Sequence, residues 1–333
     1  MNVNSDFHYI VPGLFEAVAA YSSALPVGSF PALEKFMARS SVSVSDKDVP
    51  RLLADLFDLP TSCLDVPVAA LSSFNFLTEE EISDSYWIIA SPVLLKPDRD
   101  RLVLHLAENC VDTQQINFFA KQVKTHFDSI FVDIKLSEAG HWYIRLSENP
   151  KITTTPLNQV VGRNIERFMP EGENFKAWHS VMNEIQMLLY SLDSVEYGFN
   201  ALWFHGVGQL PKRTCNQKLT VLGNDALLTG LSQLNNCHVI DSLTEILNKE
   251  IQQPLVSVEN SVIDALCIRS ETDWMNAVKN VDLVLEQALN ALAKNKITNI
   301  HLYDINGKIF KFSKNNLWKF WEKNQSISHY SDK

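Results

Sequence analysis

Residues 200–213, NALWFHGVGQLPKR, bring together the side chains best suited to holding an anion. Gly206 and Gly208 follow an apolar run directly, and glycine lets backbone N–H groups approach an oxygen-rich group closely. His205 supplies an imidazole that can donate to a phosphate, or act as an acid or base near neutral pH. Asn200 opens the run as a ligand donor, and Lys212 and Arg213 close it as cations. Each residue also has a structural alternative. A lone G-x-G is a weak motif that also serves a tight turn. His205 suits a polar cap at a strand end, and Asn200 a turn.

Four arginines offer the same chemistry elsewhere. Arg99 and Arg101 fall in a charged turn, and Arg163 and Arg167 in a long polar segment. A guanidinium fork matches phosphate or carboxylate geometry, whereas plain solvation is the competing role. If segment 205–213 faces Arg163 and Arg167, the two form one pocket for a small phosphorylated or carboxylated metabolite. No catalytic residue, metal ligand set or cofactor is assigned. The nine histidines contain no H-x-x-x-H or H-E-x-x-H pair. The five cysteines, Cys63, Cys110, Cys215, Cys237 and Cys267, form no C-x-x-C and read as reduced thiols.

The elements that would position these groups are legible in outline. Residues 1–85 are mostly helical in pattern, with PALEKFMARS starting on a proline suited to a first turn. From residue 86 the pattern turns to strands: YWIIASPVLL, a polar turn at 96–100, then RLVLHL. A helix over 112–127 and strands SIFVDIKL and HWYIRL complete a ββαββ block. Residues 148–175 are irregular. Beyond them lie a helix over 176–192, a strand over 200–204, a helix over 225–234 and a strand over 237–240, an order that implies parallel strands with crossovers. SVIDALCI reads as a strand, DWMNAVKNVDLVLEQALNALAKN as the longest amphipathic helix, and NIHLYD as a strand entering an N-G hairpin. Trp318, Phe320 and Trp321 fall in a basic stretch read as a helix whose aromatics pack on the sheet or form an interaction face.

A chain of 333 residues, 46% hydrophobic and 20% charged, has room for two compact domains. Its net charge of −10 argues against nucleic acid or an anionic membrane as partner. It shows neither an apolar run long enough to span a bilayer nor a secretory signal pattern, so it reads as cytoplasmic.

Four segments carry a resemblance to a known family: PDRDRL, GHWYIRL, MNEIQMLL and NALWFHGVGQLP. Their order resembles the insert domain of archaeal-type cofactor-independent phosphoglycerate mutases, in the alkaline-phosphatase superfamily. PALEKFMARS and the C-terminal DINGKIFKF and LWKFW extend a likeness to bacterial RpfE-type regulatory proteins over nearly the whole chain. The resemblance implies an α/β fold, a degenerate phosphatase-like mixed sheet (1–85 and 242–333) with an α+β insert domain (86–241). In that superfamily two divalent metals activate a serine nucleophile. Here YIVPGLFEAV lacks the Asp-Gly ligand, Ser45-Asp46 matches the nucleophile imperfectly, SETDWMN keeps Asp273 without histidine, and Asp304 is followed by isoleucine. The expected function is therefore that of a regulatory or ligand-binding pseudoenzyme. An active mutase or phosphatase with an altered metal site, and a protein-interaction scaffold, are the alternatives.

Overall fold

The computed structural model describes residues 5–16, 25–59, 65–107, 113–138, 140–212, 219–245, 253–304 and 307–330. Two compact units divide the chain: Met1–Asp58 with Thr214–Lys333, and Leu59–Arg213 between them. The first unit begins with β1 (Phe7–Ile10), α1 (Pro31–Arg39), β2 (Ser41–Val44) and α2 (Val49–Leu56). Pro31 stands in the first turn of α1, and the Asp48 side chain accepts the Arg51 N–H to cap α2.

The second unit holds α3 (Val68–Ser72), α4 (Glu79–Ile82), β3 (Tyr86–Asp98), β4 (Arg101–Leu106), α5 (Thr113–His126), β5 (Phe131–Leu136) and β6 (Trp142–Leu146). After these come β7 (Ile152–Thr153), β8 (Glu171–Gly172), α6 (Phe175–Ser191) and β9 (Ala201–Gln209). β3 spans 13 residues, long enough for β6 and β4 to pair with its two halves while β9 pairs antiparallel with the first. Strand alternation then sorts the two faces. Ile88 and Ala90 join Phe119, Val123, Ile185 and Leu189 of α5 and α6 in one core. Trp87 and Ile89 point the other way, against Ala69 and Ala70 of α3. Farther along that face, Val93 and Leu95 pack with Val160, Ile165 and Trp203.

The chain re-enters the first unit with β10 (Thr220–Leu222), α7 (Ala226–Asn235), β11 (His238–Ile240), β12 (Leu255–Val258), α8 (Ser261–Cys267), α9 (Glu271–Ala293), β13 (Asn299–Tyr303) and β14 (Lys308–Ser313). The seven-stranded sheet runs β11-β10-β12-β1-β13-β14-β2. Its first five strands are parallel, and β14 is antiparallel to both neighbours, so the main sheet is mixed. Phe7, Tyr9, Ile300 and Leu302 bury one face against Trp274, Val278, Val281 and Leu285 of α9 and Leu33 and Phe36 of α1. The three- and four-residue spacing along α9 is the helical signature the sequence carries.

Several elements depart from the sequence pattern. The first 85 residues contain β1, the central strand of the main sheet, and β2, both too short to stand out against neighbouring helices. SVIDALC is a helix, with Val262, Ile263 and Ala265 buried at helical spacing, so tertiary packing overrides the β-branched composition. The unit boundaries also fall at 58/59 and 213/214 rather than 85/86 and 241/242. β10 and β11 pair parallel with each other, and β10 with β12, in the main sheet, while α3 packs on β3 and β9. The C-terminal aromatic segment is a short 3-10 turn, Lys314–Trp318, followed by irregular chain.

Candidate functional site

In the second unit, three polar side chains meet on the sheet face that carries α3. Ser91 lies at the middle of β3 and is 1% exposed. Its Oγ is 2.9 Å from His141 Nδ1 and 3.4 Å from His205 Nε2. Strand register brings them together. His205 pairs with Ile89, two residues before Ser91 on β3, and His141 stands next to Trp142, which pairs with Ala90.

The proton inventory of this trio is tight. A hydroxyl has one proton and two lone pairs, so Ser91 donates to at most one imidazole and accepts an N–H from at least one, which links the two ring tautomers. Burial pushes the His205 pKa down to about 3, with His141 adding a smaller push in the same direction. The His141 pKa is lowered by burial too. Burial thus favours the neutral form of both rings. A serine 2.9 Å from an imidazole has the spacing of a nucleophile and its base, but among the described residues no carboxylate is hydrogen-bonded to either ring. The arrangement suits hydrogen bonding and proton relay.

Beside the trio, Asp65 Oδ2 accepts from Thr154 N at 3.0 Å and Thr154 Oγ1 at 2.6 Å, and Thr154 Oγ1 accepts from Gly206 N at 2.9 Å. Trp203 Nε1 donates to Thr155 O at 2.9 Å. Polar groups thus form a layer between two apolar clusters on one face of the sheet.

The glycines take part in packing. His205 to Gln209 belong to β9 rather than to a loop, because the strand runs through Gln209. Gly206 has φ +66 at a bulge, where the pairing shifts between Trp87 and Ile89. A Cβ on Gly206 would come within 2.7 Å of Val68 Cβ, and one on Gly208 within 2.5 Å of Pro67 Cβ. Both glycines therefore admit the start of α3, and the Gly206 N–H is taken by Thr154. Asn200 clamps two strands, accepting from Leu95 N at 2.7 Å and donating to Leu95 O at 2.9 Å.

The arginines gather at the other end of the sheet. Arg99, with φ +57, forms the β3–β4 turn, and Arg101 starts β4 with Asp98 3.5 Å away. The segment carrying Arg163 and Arg167 lies along β4. Val103 bridges Asn164, Leu104 N donates to Arg163 O at 3.2 Å, and Gly162 N donates to Leu104 O at 2.7 Å. All four arginines are exposed. Leu104 pairs with Leu95, and His205 with Ile89, so at about 3.3 Å per residue roughly 20 Å of strand separates the arginine edge from His205. The single pocket expected from sequence is not assembled. Lys212 is exposed beyond β9, and Arg213 lies outside the described residues.

Sequence reading missed Ser91, His141, Thr154 and Asp65. One signal was present: Ser91 is the polar interruption in the apolar run YWIIASPVLL.

The first unit has a second polar ladder across β1 and β13. His8 Nδ1 lies 2.7 Å from the Tyr303 hydroxyl, His301 Nε2 lies 3.2 Å from Asp6 Oδ2, and Asn299 Nδ2 donates to Asp6 Oδ1 at 2.8 Å. Burial and the neighbouring His301 push the His8 pKa down to about 4. Burial pushes the Asp6 carboxyl upward, but the hydrogen bonds from His301 and Asn299 outweigh it and hold the pKa below the usual value.

No protein family and no curated protein matches the sequence. Two solved structures are similar over most of the chain. The cofactor-independent phosphoglycerate mutase from Thermoplasma acidophilum DSM 1728 is 11% identical, with a TM-score of 0.48, covering 98% of this chain and 95% of that one. The PH0037 protein from Pyrococcus horikoshii is 9% identical, with a TM-score of 0.53, covering 94% of this chain and 88% of that one. At such identity the likeness to PH0037 is one of fold.

Proposed function

We propose that the chain is a regulatory or ligand-binding protein, built like a cofactor-independent phosphoglycerate mutase, that works without two-metal catalysis. One observation carries this reading: among the described residues no three His, Cys, Asp or Glu side chains are grouped so as to hold a metal ion. The positions that resemble family ligands support it. Ser45 follows the edge strand β2, with its N–H on Gly307 O, and Asp273 sits in the exposed first turn of α9, its N–H on Ser270 Oγ. The anionic ligand, a small phosphorylated or carboxylated metabolite, is assigned to the exposed Arg99, Arg101, Arg163 and Arg167, a reading supported by the bridge between Val103 and Asn164, which brings the segment of Arg163 and Arg167 alongside β4.

The test uses purified protein with added Mn2+ and 3-phosphoglycerate. No turnover above that of Ser45→Ala is expected, and elemental analysis should find no pair of stoichiometric metals. 3-Phosphoglycerate should raise the melting temperature of the wild type but not of an Arg101→Ala, Arg163→Ala double variant. Turnover that disappears in Ser45→Ala would overturn the reading in favour of a live mutase.

A further inference from the structure

The edge of the main sheet carries a surface the ligand reading does not use. β2 ends the seven-stranded order, pairs among the described residues with β14 alone, and all four of its residues are exposed. Val42 and Val44 are 55% and 82% exposed. Short edge strands are commonly guarded by lysine, proline or a bulge, and SVSV has none of these. Among the described residues its outer edge pairs with no strand, which leaves that side for strand addition.

A second exposed feature adjoins this edge. Trp318, Phe320 and Trp321 are 72%, 77% and 64% exposed, within four consecutive residues. Their segment is fixed beside the last residue of α1, two positions before β2: Asn316 Nδ2 and Lys319 Nζ donate to Arg39 O, and Arg39 Nη1 donates to Leu317 O at 3.1 Å. Three large aromatics held in the open at one spot form an apolar patch of the kind that marks a protein contact. The charge around them runs against that of the chain. Residues 308–323 contain five lysines and one glutamate, in a protein of net charge −10.

We propose that β2 and the Trp318–Phe320–Trp321 patch together form a docking site for an extended acidic peptide segment of a partner protein, added as an eighth strand. Backbone pairing with β2 supplies register-independent affinity. Alternate apolar residues of the peptide cover Val42, Val44 and the aromatics, while its carboxylates face Lys311, Lys314, Lys319 and Lys323. Charge complementarity selects this occupant over a second copy of the chain, because β2 pairing with β2 would set two lysine-bearing patches against each other.

The test measures binding of two fluorescent peptides, one alternating valine and glutamate and one alternating valine and lysine, to the full chain by anisotropy. Saturable binding of the acidic peptide alone is expected, weakening as salt rises. A Trp318→Ala, Phe320→Ala, Trp321→Ala variant and a Val42→Glu, Val44→Glu variant should each lose at least tenfold in affinity while keeping wild-type melting temperatures, since every changed side chain is exposed. Equal binding of both peptides, no saturable binding, or unchanged affinity in the variants overturns the proposal. Dimerisation abolished by the valine variant would instead assign the edge to a second copy, and aromatic-dependent binding to phosphatidylserine vesicles without peptide binding would assign it to a membrane. This experiment is independent of turnover and metabolite binding, so either reading can fail alone.

Discussion

His205 shows how a single residue's role depends on register. The side chain was visible in sequence as a possible acid or base, but its partners come from β3 and from the residue before β6, so nothing near it in sequence identified them. Its linkage to stability has a definite sign. A histidine held near pKa 3 in the fold and near 6.5 when unfolded leaves the unfolded chain binding more protons below about pH 6.5. Stability should therefore fall as pH drops from about 6.5 toward 3, and His8, held near 4, adds to the loss over much of the same window. For His205 the linkage amounts to at most about 5 kcal/mol. Urea midpoints from pH 7.5 to 4.5 measure the slope, which should be shallower in His205→Gln. A slope unchanged in that variant would remove His205 from the account. Gly206 and Gly140 offer a matched pair for a second prediction. Both have positive φ, but a Cβ on Gly206 would meet Val68 whereas one on Gly140 meets nothing within 4 Å. Gly140→Ala should cost about 1 kcal/mol and Gly206→Ala about 2–4 kcal/mol in chemical denaturation.

At the scale of elements, long periodic segments were legible and short ones were not. α9 announces itself through a stripe from Trp274 to Leu292, and β3, β4 and β6 through apolar runs around charged or glycine turns. β1 has only four residues and is defined by its parallel neighbours, which lie far away in sequence. The glycine-bearing strand shows the same limit. Residues 200–204 were readable as a strand, but its continuation through Gly206 and Gly208 depends on pairing with β3 and on α3 needing room, and neither is encoded locally. The aromatic C-terminus carries helical spacing in sequence yet forms a turn tied to Arg39. Asn200 yields a prediction at this scale. Its side chain closes a two-way clamp on Leu95, so Asn200→Ala should cost about 1–3 kcal/mol and raise amide exchange at Leu95 above that of central β3 residues. Retained protection at Leu95 would show that the clamp is dispensable.

For the whole molecule, the division into an outer and an inner unit follows from where the chain leaves the main sheet and where it rejoins it. The inner unit has its own core, with Trp142, Ile144, Ile185, Leu189 and Phe204 buried between sheet and helices. A protein comprising Leu59–Arg213 alone should accordingly unfold cooperatively in urea, with a near-ultraviolet dichroism signal from its buried tryptophans; a signal without tertiary structure would show that it depends on the outer unit. Composition made two domains expected, but their boundaries needed the pairing of β10 and α3 to be seen.

The placement of β1 also sets an order of events at the ribosome. Ser5 and Thr298 hydrogen-bond across 293 residues of sequence, and both parallel neighbours of β1 lie in the last third of the chain. At roughly 5–20 residues per second, translation leaves this central strand without its partners for a time on the order of tens of seconds. During that interval the inner unit is complete and free to fold, while Phe7 and Tyr9 await the helix that will bury them. β1 is thus an apolar strand kept waiting, and the demand for chaperone protection during synthesis falls there.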